Sequence, residues 1–157
     1  MLQRMIYSII ADWKYHKASF KIKNKEYKNA INIYYDILEL NKKMQNKSSD
    51  SLIAFDIGYC YYNLNLFNEA KFWFSLSFKE FKKDKMDLNF EPYYYLLVYY
   101  GTILNRAGNN KEIKEIYHEA KQIFSIDLKK HFDNNLVIPS YMELDNSRVI
   151  KNYKSVK

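Results

Sequence analysis

A pattern that recurs along the chain at intervals of about 40 residues most constrains the fold. Ala30 and Ala70 lie 40 residues apart, and Ile113 takes the equivalent position 43 residues further on. In each copy a tyrosine or phenylalanine follows four positions later. A repeat of this length is one supersecondary unit that cannot bury its apolar face alone, so neighbouring copies are expected to stack.

The spacing of apolar residues within each copy predicts helices. After Tyr27, apolar residues recur three, four, seven and eleven positions on, which is the spacing of one helix face. The whole chain contains only three glycines and two prolines, which leaves little material for the tight turns of a many-stranded sheet. We therefore predict an all-α protein.

The predicted helices are separated by short polar breaks. The predicted helices span roughly residues 4–22, 27–43, 50–62, 67–83, 91–106 and 111–125. Asn65 and Gly108 mark two of the breaks, because Asn and Gly tolerate a left-handed backbone. Short breaks between helices predict antiparallel hairpins. We expect about three hairpins in residues 1–128, and an irregular segment, a short capping helix and a frayed tail in residues 129–157.

The second copy carries the residue order of a known repeat. Ile57 and Gly58 come first, followed by an aromatic residue and then by a polar residue at the elbow. A second aromatic residue, Ala70 and Phe74 complete the order. This resembles the tetratricopeptide repeat over roughly residues 10–125. The spacing is longer than the roughly 34 residues usual for that repeat, and Asn65 replaces the elbow glycine, so the copies are degenerate. The resemblance implies hairpins stacked into a short right-handed superhelix.

A narrower resemblance rests on the third copy. Its first helix runs from Tyr93 to Arg106 and begins with the stretch Tyr-Tyr-Tyr-Leu-Leu-Val-Tyr-Tyr-Gly. Long degenerate repeats with such tyrosine-rich helices resemble the peptide-sensing domains of cytoplasmic pheromone receptors of the Rgg and PlcR type. Those receptors begin with a helix-turn-helix domain, for which this sequence shows no counterpart. The resemblance implies a sensor half that binds a peptide.

The tetratricopeptide resemblance implies a ligand groove lined by the first helix of each pair. The groove positions are then Tyr15, Tyr59, Tyr62, Asn63, Tyr95, Thr102, Asn105 and Arg106. Asparagine amides both donate and accept, so they suit a peptide backbone, and the arginine suits a carboxylate. In the alternative interpretation, the asparagines cap helix ends and the tyrosines belong to the core.

The sequence carries no pattern typical of catalysis or of metal binding. His16, His118 and His131 lie far apart, and Cys60 is the only cysteine. No phosphate-binding loop, nucleophile elbow or metalloprotease helix is present. We therefore expect no enzyme activity and no cofactor. The single cysteine and the lack of an export signal predict a cytoplasmic protein.

The net charge of +7 suggests an anionic partner, but the composition argues against nucleic acid. Arginine, which forks onto phosphates and base edges, occurs only at positions 4, 106 and 148, and the lysines are scattered. We expect a protein or peptide partner, and no membrane. An apolar concave face could also pair with itself, which would give a homodimer. The alternative functions are a regulator associated with DNA or RNA, and a small phage- or plasmid-borne inhibitor or immunity protein that blocks a partner.

Overall fold

A computed structural model describes residues 2–45, 50–83, 91–108 and 110–129 of the chain. These ranges contain six α-helices and no strand. The helices are α1 (Leu2–Lys23), α2 (Tyr27–Met44), α3 (Asp50–Asn63), α4 (Phe67–Lys83), α5 (Glu91–Arg106) and α6 (Asn110–Phe124). The all-α prediction is confirmed. The predicted C-terminal segment lies, from residue 130 onward, outside the described residues.

The chain divides into two compact units, Met1–Met86 and Asp87–Lys157. In the first unit α1 packs on α2, α2 on α3, and α3 on α4. In the second unit α5 packs on α6. The predicted division after residue 128 stays a prediction. None of the described helices has the length and apolar character needed to cross a bilayer.

One left-handed residue lies in each of the three turns that follow α1, α3 and α5. These residues are Lys25, Asn65 and Gly108, with φ angles of 61°, 60° and 66°. They are separated by 40 and 43 residues, which is the period of the sequence pattern. The repeat seen in the residue types is therefore also a repeat of backbone geometry, and the two predicted elbows lie where expected.

Backbone hydrogen bonds close the first two of these turns in the same way. The N–H of Glu26 donates to the carbonyl of Lys21 at 2.9 Å, and the N–H of Leu66 donates to the carbonyl of Tyr61 at 3.0 Å. Both span five residues and flank a left-handed residue, as in a Schellman motif. The motif satisfies carbonyls at the helix end and reverses the chain within a few residues.

A close approach of α3 and α4 forms the core of the second pair. A Cβ atom added to Gly58 would lie 2.6 Å from ring atom Cδ1 of Phe74, which is itself fully buried. Ala70 and Ser77 are fully buried too, and the Ser77 hydroxyl donates to the Ser51 carbonyl at 2.7 Å. Small side chains therefore let the two helix axes approach at this point.

In the second unit, α6 contributes a narrow apolar stripe and two acceptors. Its buried residues are Ile113, Ile116 and Ala120. The Tyr93 hydroxyl donates to Glu119 Oε2 at 3.3 Å, and the Tyr100 hydroxyl donates to Glu112 Oε2 at 3.1 Å. Both tyrosine rings are buried. Two hydroxyls of the tyrosine-rich helix α5 thus donate to carboxylates of α6.

The contact between Gly58 and Phe74 yields the first prediction. Gly58→Ala should lower the free energy of unfolding by about 1–2 kcal/mol, because the strain of overpacking exceeds the helix propensity that alanine gains. Chemical denaturation of the purified chain measures this change. The control is to make Gly58→Ala in a chain that already carries Phe74→Leu. There the alanine should leave the free energy of unfolding unchanged or raise it. An equal loss in both backgrounds would show that the ring is not what excludes a side chain at position 58.

Candidate functional site

Tyr15, the predicted groove residue of α1, is half-buried and points into the first unit. Its hydroxyl donates to Oδ2 of Asp56 on α3 at 2.9 Å. Its ring also meets the ring of Tyr34 on α2 edge-on, at 5.8 Å between centroids. This side chain thus joins three helices, and its hydroxyl is engaged within the chain.

The three predicted groove residues of α3 differ in exposure. Tyr59 is buried, with its ring edge-on to Tyr27 at 6.4 Å between centroids. Tyr62 is half-buried, edge-on to Phe67 at 5.6 Å. The Asn63 side-chain amide donates to the Tyr59 carbonyl at 2.8 Å, one turn earlier in the helix. Of the three, Tyr62 and Asn63 keep partial access to solvent.

The four predicted groove residues of α5 separate into two buried and two exposed ones. Tyr95 is fully buried, and Thr102 is buried with its hydroxyl donating to the Val98 carbonyl at 2.8 Å. Asn105 and Arg106, at the end of the helix, are exposed. Of the four, only the two polar residues at the C-terminal end of α5 are therefore exposed in this structure.

A buried carboxylate forms the polar centre of the first unit. Asp56 is only 1% exposed, and burial raises the pKa of its carboxyl to about 7 against the Tyr15 and Tyr34 hydroxyls, which lower it. The Tyr34 hydroxyl lies close enough to favour the ionised form of Asp56, but it does not form a hydrogen bond with that carboxyl in this geometry. Within the described ranges, the Tyr34 hydroxyl and Asp56 Oδ1 are therefore both buried without a hydrogen-bond partner.

The surroundings of Asp56 keep neighbouring acids protonated. Burial, followed by the charge of Asp56, raises the pKa of the Cys60 thiol and of the Tyr34 hydroxyl. A thiol held in its neutral form is a poor nucleophile, so Cys60 behaves as a small core residue. Sequence reasoning did not single out Asp56, although it is the only charged residue between Leu52 and Tyr62. A lone charge in an apolar helix was the available signal.

A partly exposed cluster of four aromatic rings and one leucine lies where α2, α3 and α4 meet, and we call it the aromatic patch. Its members are Tyr35, Tyr61, Phe72, Trp73 and Leu76. Trp73 lies between Tyr35 and Phe72, with ring centroids 5.7 Å and 5.6 Å away. Phe72 is 63% exposed, and Tyr35 and Leu76 are each 37% exposed. The patch therefore offers a continuous apolar surface to solvent.

Two tyrosine hydroxyls give the aromatic patch a polar edge. The hydroxyls of Tyr35 and Tyr61 lie 3.0 Å apart and share a hydrogen bond. This hydrogen bond, with partial burial, raises the pKa of Tyr61 to about 12. The Tyr61 hydroxyl stays protonated at neutral pH and remains able to donate. Most of the patch lies on the second helices of the pairs, whereas the tetratricopeptide resemblance places the groove on the first helices.

A second exposed apolar surface runs along α1. Its side chains, which we call the outer face of α1, are Leu2, Met5, Ile6, Ile9, Ile10, Trp13 and Phe20. They are all between 36% and 67% exposed. Contiguous exposed surfaces of this kind mark interaction sites more often than scattered apolar residues do.

The described residues contain no group of three or more His, Cys, Asp or Glu side chains that could hold a metal ion. Neither a protein-family model, nor a curated protein, nor a solved structure matches this chain. The surfaces of the molecule therefore supply the functional argument.

The buried carboxylate yields a prediction about pH. The pKa of Asp56 is about 7 in the folded chain and 3.8 for an ordinary aspartate, so both states are protonated only well below pH 3.8, and the cost of burying the charge is absent there. As pH rises toward 7 the unfolded state releases its proton first, and stability falls. Asp56→Asn should therefore match the native chain near about pH 3 and exceed its free energy of unfolding by on the order of 4 kcal/mol above pH 7.

Denaturation of both proteins between about pH 3 and pH 8 measures this difference. Tyr15→Phe serves as the companion variant, because removing its hydrogen bond to the carboxylate should raise the folded-state pKa further and extend the loss of stability to higher pH. A difference between Asp56→Asn and the native chain that is the same at both ends of the pH range would contradict the assignment.

Proposed function

We propose that this chain is a non-enzymatic module that binds a protein or peptide, with its helix pairs stacked as in a short right-handed tetratricopeptide-like superhelix. The common period of turns and small residues supports the repeat architecture. The Gly58–Phe74 contact supports it further, because it lies at the glycine and aromatic positions of the resemblance. Repeat proteins of this design act mainly through extended surfaces.

The aromatic patch is the observation that carries the proposal. A tryptophan flanked by two exposed aromatic rings is the composition of an interface hot spot, where Trp and Tyr dominate. Covering Phe72 alone would contribute about 1.5–3 kcal/mol. Solvent exposure of such side chains has a cost in solubility, so a binding role accounts for them better than a purely structural role.

The chemistry of the patch favours a peptide with an apolar anchor and polar backbone groups. Trp73 and Phe72 would contact the anchor. Tyr35 and Tyr61 share one hydroxyl proton between them, and the other proton would donate to a carbonyl group beside the anchor. The partly exposed amide of Asn63 on α3 belongs to the predicted groove, and it would add a contact if the ligand extends along that helix.

Selection of peptides from a random library against the full chain tests the proposal. Selected peptides should bind with dissociation constants in roughly the micromolar range and contain an aromatic or large aliphatic anchor. In a Trp13→Phe background the emission of Trp73, the remaining tryptophan, should change on binding.

Phe72→Ser should weaken the selected peptides about tenfold or more, because it removes an exposed ring of the patch. Phe20→Ser is the matched control, since Phe20 is 61% exposed on another helix and lies outside the patch. Failure to enrich any peptide, or equal binding by the native chain and Phe72→Ser, would contradict the proposed function.

A further inference from the structure

Helix α1 has apolar residues on two opposite faces. Ala11, Ala18 and Ile22 are buried on the face that packs in the first unit. At 100° per residue, Ile9 and Trp13 lie on the opposite side of the helix, and they are 61% and 60% exposed. Helix α1 is thus too apolar on its outer side to be explained by its packing on α2.

The outer face of α1 has the spacing of a coiled-coil seam. Positions 2, 6, 9, 13, 16 and 20 alternate by four and three residues, which is the a/d pattern of the heptad. Five of the six are Leu2, Ile6, Ile9, Trp13 and Phe20. The sixth is His16, and one polar residue in an apolar seam commonly fixes the register of pairing. The face is therefore patterned to receive another helix.

The exposed surface is large enough for a stable interface. From their exposed fractions, the side chains of the outer face present on the order of 700 Å², close to the roughly 800 Å² that each partner contributes to a standard interface. An exposed apolar face of this size on a folded chain calls for a cover.

We propose that a second copy of this chain covers the outer face, with the two α1 helices antiparallel about a twofold axis near residue 11. The seam positions are spaced symmetrically about residue 11, so each seam side chain of one copy lies opposite a defined seam side chain of the other. Trp13 of one copy faces Ile9 of the other, and Phe20 faces Leu2. Every large ring thereby meets a smaller aliphatic side chain.

The alternative parallel arrangement would place Trp13 against Trp13 in one layer, which crowds the seam. The antiparallel arrangement places Asp12 beside Asp12 of the second copy at the exposed rim, where a like-charge contact costs little. Lys17, whose ammonium lies 5.2 Å from the Trp13 ring centroid, would face Gln3. Packing of the seam thus decides the orientation.

This proposal uses a different surface from the aromatic patch and does not depend on the proposed function. Peptide binding could fail while the chain still pairs through α1. Equally, the chain could bind peptides at the patch and remain a monomer. The matched phenylalanines at positions 20 and 72 separate the two surfaces experimentally.

Sedimentation equilibrium of the full chain over a range of concentrations tests the proposal. The native chain should dimerise with a dissociation constant of about 10 µM or lower, and Ile9→Glu should raise that constant by about 100-fold or more. Phe72→Glu replaces a residue on α4 that is about as exposed as Ile9, and it should leave the dissociation constant of the dimer unchanged. Circular dichroism and thermal unfolding should show both variants folded.

Asp12→Asn reports the orientation. It should tighten an antiparallel dimer about twofold to fivefold, because it removes a contact between like charges. In a parallel dimer Asp12 would instead lie near Lys17 of the second copy, and the same change would weaken pairing. A native chain that stays monomeric at about 100 µM, an Ile9→Glu variant that still dimerises, or an Asp12→Asn variant that pairs more weakly would overturn the proposal.

Discussion

The left-handed residue in each turn between paired helices is the constraint on which the rest of the structure depends. At Lys25 and Asn65 it allows hydrogen bonds to reach back over five residues, so the next helix starts immediately. Two helices joined so closely must pack on each other, and small residues are then required where they meet. The buried Ala30 and Ala70, each five positions after its left-handed residue, show this requirement in two copies.

The first unit combines this simple packing with a costly polar centre. A buried carboxylate whose pKa is raised to about 7 reduces stability at neutral pH, and an apolar residue of similar size would avoid the cost. Asp56 accepts a hydrogen bond from Tyr15 on α1 and lies near the Tyr34 hydroxyl of α2, so it restricts how those helices can pair. Such buried polar groups can select one packing arrangement over others. We suggest this role for Asp56, and Tyr15 therefore serves the core as much as any ligand.

The sequence predicted the helices and the repeat because both depend on local spacing. The turn at Gly108 was predictable too, since glycine has little cost in the left-handed region. Lys25 was not, because lysine carries no preference for that conformation, and only the hydrogen bonds around it stabilise it. Turn residues can be read from a sequence only where the side chain itself favours the turn.

The surfaces were harder to predict, because exposure depends on which neighbours a helix acquires. The groove positions assigned by resemblance include Tyr59 and Tyr95, whose rings are buried here. The aromatic patch is assembled from three helices, so no single stretch of sequence contains it. For α1, periodicity identifies an apolar stripe but does not distinguish a face that packs inside the chain from one that awaits a partner. The structure shows that Ile9 and Trp13 are exposed, which periodicity alone did not reveal.

The stability of variants at two nearby lysines tests the repeat architecture most directly. Lys25→Gly should raise the free energy of unfolding by about 0.5–1 kcal/mol, because glycine relieves the strain of the left-handed backbone. Lys23→Gly, in the last turn of α1, should instead lower it by up to about 1 kcal/mol through lost helix propensity. Opposite signs two residues apart would establish that the first helix pair is closed at Lys25. A loss of stability in both variants would contradict the account.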